Sequence, residues 1–155
     1  MKKGIPLLAA ILCLMIITGC DNIKKMNTVS PEAPEKAVVK VGGSEKLYMH
    51  KWALATLNNK SVNSGAFVEF TAGQVNRVNG NTGCNNFSGG YTLTSNNSIK
   101  FSPLASTEMA CVPDNSVGEM EFLKALQDTD SWSVTDTDLS FYKGNVLLAK
   151  FTTVK

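Results

Sequence analysis

Short apolar runs closed off by turn residues recur from Trp52 to Phe151, and this rhythm limits the fold more than any other feature. Trp52-Ala53-Leu54-Ala55-Thr56-Leu57 stops at Asn58-Asn59, and Phe67-Val68-Glu69-Phe70 stops at Ala72-Gly73. Val75 to Val78, Tyr91 to Thr94, Ile99 to Phe101, Trp132 to Val134, Leu139 to Tyr142 and Val146 to Phe151 continue the series. β-branched and aromatic residues favour a pleated, half-buried surface, whereas Asn, Asp and Gly accept the backbone angles of tight turns. Strands this short at this density predict a mainly β (α+β) fold. The expected form is a small antiparallel β-barrel-like or sandwich domain of about eight short strands with one covering helix.

The helix is expected where the period changes. Val117, Met120, Leu123 and Leu126 return at helical spacing with Phe122 on the flank. Ser116 and Glu119 have the spacing of a capping box, so the helix should run from about Val117 to Asp128 with its Met and Leu stripe on the sheet. Trp52, Phe70, Tyr91, Leu123, Leu126 and Trp132 are expected to share one core.

The amino terminus reads as an address. Lys2 and Lys3 precede an apolar core from Ile5 to Ile17, which is too short to span a bilayer comfortably. Ile17-Thr18-Gly19-Cys20 resembles a bacterial lipobox, in which the signal is cut before the Cys and the new terminus is acylated. The expected organisation is a signal peptide over 1–19, lipidated Cys20 with a flexible tether over 20–46, and a folded domain over 47–155. Pro31, Pro34 and mixed charges without an aromatic residue mark the tether. Such a protein faces the periplasm of the cell envelope, held to the membrane by its N-terminal acyl chains. Asp21 after the acylated Cys favours the inner membrane over the outer.

Charge and cysteine content exclude several functions. The formal net charge is +2, and apart from Lys2 and Lys3 the bases and acids balance, with Arg77 the single arginine. Nucleic-acid binding needs a basic footprint that this sequence lacks. With Cys13 removed and Cys20 acylated, Cys84 and Cys111 remain as one expected disulfide in an exported chain. A zinc site needs three or four ligands and a Cys nucleophile needs a base, yet His50 is the only histidine. Asp136 and Asp138 fall in a hairpin turn, and Glu119 and Glu121 lie on opposite sides of the helix, so no catalytic carboxylate pair is expected. We expect no enzyme activity, no metal and no cofactor.

Asn79-Gly80-Asn81-Thr82-Gly83-Cys84-Asn85-Asn86-Phe87-Ser88-Gly89-Gly90 is rich in glycine but lacks the Gly-Lys-Ser/Thr of a phosphate loop. It reads as a rigid corner in which Gly80, Gly83, Gly89 and Gly90 permit positive φ and Cys84 supplies a staple. This segment, together with Trp52-Ala53-Leu54, Leu104-Ala105-Ser106-Thr107-Glu108-Met109-Ala110-Cys111 and Glu121-Phe122-Leu123-Lys124-Ala125-Leu126, resembles the META domain of HslJ-like heat-shock lipoproteins. The resemblance spans nearly all of 47–155.

It implies an antiparallel β fold with one helix, similar to lipoprotein pilots of secretins, and a link to heat stress and novobiocin resistance. It brings no catalytic residues. Gly83, Asn85, Asn86, Phe87, Ser88, Gly89, Thr107, Met109 and Ala110, with the two cysteines, form the implied signature, read first as fold-determining. The expected function is a non-enzymatic envelope lipoprotein that binds an envelope protein or a small hydrophobic ligand. The alternative is a pilot or assembly factor for a secretion channel, holding a lipid tail or peptide inside the barrel.

Overall fold

The computed structural model describes residues 43–94, 97–111 and 118–154. The signal peptide, Cys20, Val117 and Ser116 lie outside the described residues. Among the described residues ten strands follow in chain order: β1 Trp52–Leu57, β2 Lys60–Ser61, β3 Phe67–Thr71, β4 Arg77–Asn81, β5 Asn86–Thr94, β6 Ser98–Phe101, β7 Ala105–Ser106, β8 Ser131–Val134, β9 Asp138–Lys143 and β10 Val146–Thr153. Two helices join them, α1 Glu45–Met49 and α2 Glu119–Asp128.

All the pairings are antiparallel, in the order β10-β9-β8-β6-β5-β4-β3-β1. A further pairing of β1 with β10, from Trp52 opposite Thr153 to Leu57 opposite Ala149, closes the sheet into an eight-stranded barrel. β2 adds to β1 and β7 adds to β5. Closure removes the free edges that an open sheet would expose to other chains.

Alternation fills the interior. Val68 and Phe70 of β3, Val78 of β4, Phe87 and Tyr91 of β5, Phe141 of β9 and Phe151 of β10 all point inward and are buried. Phe70 meets Tyr91, Phe101 and Phe141, and Phe141 meets Phe151, at centroid separations of 5.2 to 6.3 Å. Edge-to-face geometry at these distances lets each ring edge meet a neighbour's π face. The barrel therefore holds a packed aromatic core. Of the expected core residues, Trp52, Phe70, Tyr91, Leu126 and Trp132 are buried, whereas Leu123 is only partly covered.

The helices cover opposite ends. At one end Trp52 Nε1 donates to Leu47 O (3.1 Å) and Lys46 pairs with Asp136 of the β8–β9 turn (2.7 Å). At the other, Asn58 after β1 donates to Glu121 (2.8 Å), and Phe122 meets Phe87 edge-to-face and Phe151 at a tilt. The covering helix expected is α2, and the five-residue α1 is added to it. Ser44 is buried and α1 starts at Glu45, so folded structure starts ahead of the expected boundary, within the stretch read as tether.

α2 begins close to the expected place but presents a different face. Phe122, Ala125 and Leu126 are buried, while Met120 is 85% exposed. The apolar stripe thus runs i, i+3, i+4, the spacing that keeps one face of a 3.6-residue helix on the core. The described N-cap is Gly118, without a side-chain cap bond. The glycine-rich corner is also resolved differently, as a hairpin of β4 and β5 turning at Thr82–Asn85. Only Gly83 among its glycines uses positive φ (100°). Gly80 is required by close approach, because a Cβ there would lie 2.6 Å from the Phe87 ring.

Candidate functional site

The β4–β5 turn, the segment after β7 and the start of α2 converge on Asn85, which is 3% exposed. Its Nδ2 donates to Glu119 Oε2 (2.6 Å) and lies 3.4 Å from both Met109 O and Cys111 Sγ. Its Oδ1 accepts from Thr107 Oγ1 (2.7 Å) and the Met109 N–H (2.8 Å). Its backbone carbonyl accepts from the Thr82 N–H (2.8 Å), and its N–H donates to Thr82 Oγ1 (3.1 Å). The disulfide between Cys84 and Cys111, Cα atoms 5.8 Å apart, closes the same node covalently. Buried polar groups are tolerated when each finds a partner, and here one amide satisfies three segments at once.

Glu119 completes the node by also accepting from Ser106 Oγ (2.9 Å). Its carboxylate is thus turned to Asn85 and Ser106. The Ser-x-x-Glu spacing that suggested a capping box is the only sequence signal that marks this residue.

Not all signature residues enter the node. Phe87 belongs to the core, and Gly89 admits Leu104, whose Cδ2 would lie 2.6 Å from a Cβ at that position. Met109 leaves its side chain 55% exposed while its backbone is held, and Ala110 is exposed. Asn86 and Ser88 face outward, where a groove of about 520 Å³ runs across β3, β4, β5 and β7. Phe67, Glu69 and Asn79 line it as well. Sequence reading missed Glu69 and Asn79, since alternation along a strand says which side a residue takes and not what stands beside it.

Among the described residues the titratable groups give no acid–base pair. Burial, aided by nearby Tyr48, pushes the Tyr91 phenol up, and its hydroxyl has no hydrogen-bond partner among the described residues. Asp136 and Asp138 are held below the usual carboxylate range first by hydrogen bonds from Lys46 and Lys150, and Asp130 by the Gly144 N–H. Asp128 is lowered by Lys124 one helical turn earlier (2.8 Å). These are surface pairs remote from the groove's lining. Among the described residues no three His, Cys, Asp or Glu side chains are grouped to hold a metal, and no helix is long and apolar enough to cross a membrane.

The model of the META domain matches residues 45–153, from the first residue of α1 to the last of β10. The chain belongs to the META domain family. Two solved structures share its fold. An NMR structure of a protein from Burkholderia xenovorans is 22% identical, with a TM-score of 0.59, covering 81% of this chain and 99% of that one. A second NMR structure is 24% identical, with a TM-score of 0.54, covering 70% of this chain and 92% of its counterpart. Among curated proteins none matches this META-domain chain.

Proposed function

We propose that this META-domain protein is a non-enzymatic, lipid-anchored protein of the bacterial envelope, of HslJ-like type, that supports tolerance of heat or novobiocin by binding a partner. One observation carries the non-enzymatic part. The buried signature residue Asn85 is bonded to Thr107, also of the signature, and to Glu119 of α2, which supports reading this part of the signature as scaffold. Catalytic groups need a free lone pair or proton in reach of a substrate. The burial of Phe70, Phe101, Phe141 and Phe151 in the barrel interior, where a lipid tail or peptide would have to sit, supports a binding surface on the outside.

The anchor rests on Ile17-Thr18-Gly19-Cys20, and Asp21 directs the protein to the inner membrane. Growth with labelled palmitate should label the wild type and leave Cys20→Ala unlabelled. A processed, soluble, unlabelled wild type overturns the anchor, and recovery chiefly in outer-membrane fractions overturns the sorting. A deletion strain should lose viability at raised temperature or with novobiocin and regain it on complementation. Growth equal to the parent under both stresses removes the stress role.

A further inference from the structure

The groove on the outer wall holds three polar side chains that the fold does not use, beside Asn86, Phe87, Ser106 and Thr107, which it does. Glu69, Asn79 and Ser88 are register partners across β3, β4 and β5, and Ala105 of β7 extends the same row. Adjacent strands lie about 4.8 Å apart, so the three polar side chains span roughly 10 Å. All three are exposed, and none of their side chains bonds another side chain among the described residues. Phe67, on the same strand and face as Glu69, stands at the groove's side with Lys51 Nζ 3.4 Å from its ring centroid.

We propose that this groove is a binding site for a neutral oligosaccharide. The proposal deepens the binding reading above by naming a surface and a ligand class. Glu69 is the one charged residue in the groove's described lining and the Lys51 ammonium stands over Phe67 at its side, so the groove has no cluster of one sign with which to select a polyanion or a polycation. An extended peptide adds to a free strand edge, and the floor of the groove offers none, because the backbone of β4 is paired on both sides, with β3 and with β5. What the floor offers is an amide, a carboxylate and a hydroxyl in a line beside an aromatic ring. Together they can donate to and accept from sugar hydroxyls while the ring takes an apolar sugar face. Ala105 and Ser88 keep the floor low enough for a flat ring. Lys51 does not close the site, because an exposed cation–π contact is weak and its ammonium can turn to donate to a hydroxyl.

The test uses full-length protein in dodecylphosphocholine micelles, a detergent without sugar, titrated with fully N-acetylated, neutral chitotetraose, with cellotetraose and with spermidine. We expect saturable amide shifts in β3, β4 and β5 with at least one tetrasaccharide and none with spermidine. Asn79→Ala and Ser88→Ala should each weaken binding roughly tenfold, about 1.4 kcal/mol, while exposed Thr92→Ala beyond the groove leaves it unchanged. Thermal melts matching the wild type establish that the variants are folded, and Asn79→Thr serves as a second variant at the same position. Co-sedimentation with purified peptidoglycan sacculi that chitotetraose competes away assigns the source as wall glycan. Tetrasaccharide binding without co-sedimentation assigns it as free saccharide. No saturable shift with either sugar, shifts indifferent to Asn79→Ala and Ser88→Ala, or preference for spermidine overturns the site. Any of these leaves palmitate labelling and the stress phenotype untouched, so failure of the groove is distinguishable from failure of the broader function.

Discussion

Asn85 and Asn79 belong to one short stretch of sequence and have opposite surroundings. Asn85 is buried, its amide held by Glu119, Thr107 and Met109. Asn79 stands on the outer wall between Glu69 and Ser88 with its side chain facing the groove. The contrast shows that residue type alone says little about role. A polar side chain that closes its bonds within the fold stabilises it, and one left open in a concavity is available to a ligand. The two regions should therefore respond to mutation in different ways, the node through stability and the groove through binding.

The sharpest separation comes from the disulfide. Replacing Cys84 and Cys111 together by Ser releases a 27-residue separation in the unfolded chain and should cost about 3 to 4 kcal/mol on the chain-entropy account. Denaturant melts with and without reductant measure it. Intact-mass analysis after alkylation should find no free thiol at either position in envelope-derived protein. Two readily alkylated thiols, or equal stability of the double variant, would remove the covalent half of the node.

Asn85→Ala comes next. It leaves the Met109 N–H and the Glu119 carboxylate without their buried partner, each an unsatisfied group costing about 1 to 3 kcal/mol, so a total near 3 kcal/mol is expected. A loss below about 0.5 kcal/mol, the level of an ordinary surface substitution, would make the node no different from the groove.

Much of the barrel was legible because its signal is local. Trp52–Leu57 and Val146–Thr153 announce themselves by apolar runs between turn residues, and both are strands. The five-residue α1 and two-residue β7 are too short to show any period, and they form because Leu47 and the β5 edge give them somewhere to pack. The helix was located but mis-phased: Met120 fits a helical repeat in sequence, yet the core lies where Phe122 can reach Phe87 and Phe151. Of the node, the Cys84–Cys111 bridge was legible from the cysteine count, but the side-chain bonds that gather around Asn85 were not. Asn79, Asn81, Asn85 and Asn86 look alike along the chain, and only the return of residues 105–111 and α2 singles out Asn85.

A smaller effect is expected at Glu119. Glu119→Gln keeps the shape and one acceptor but loses the charge that strengthens the bonds from Asn85 and Ser106, so about 1 kcal/mol should be lost. Glu119→Ala should cost more than Glu119→Gln. If the two variants are equally stable, the carboxylate is not bonded as described and the helix start depends on packing alone.

Asn79→Thr carries the smallest effect on stability and the finest test of the comparison. Asn is disfavoured in strands, whereas Thr suits a pleated surface, so at an exposed central position with no internal partner the change should stabilise by a few tenths of a kcal/mol. A structural residue would behave the other way, since losing its bonds would outweigh the gain in propensity. Residues kept for binding are commonly ones whose replacement raises stability at the expense of function. The expected pair of results is a melt equal to or slightly above wild type together with weaker tetrasaccharide binding. A loss above about 1 kcal/mol would instead place Asn79 with Asn85, among the side chains that hold the barrel together.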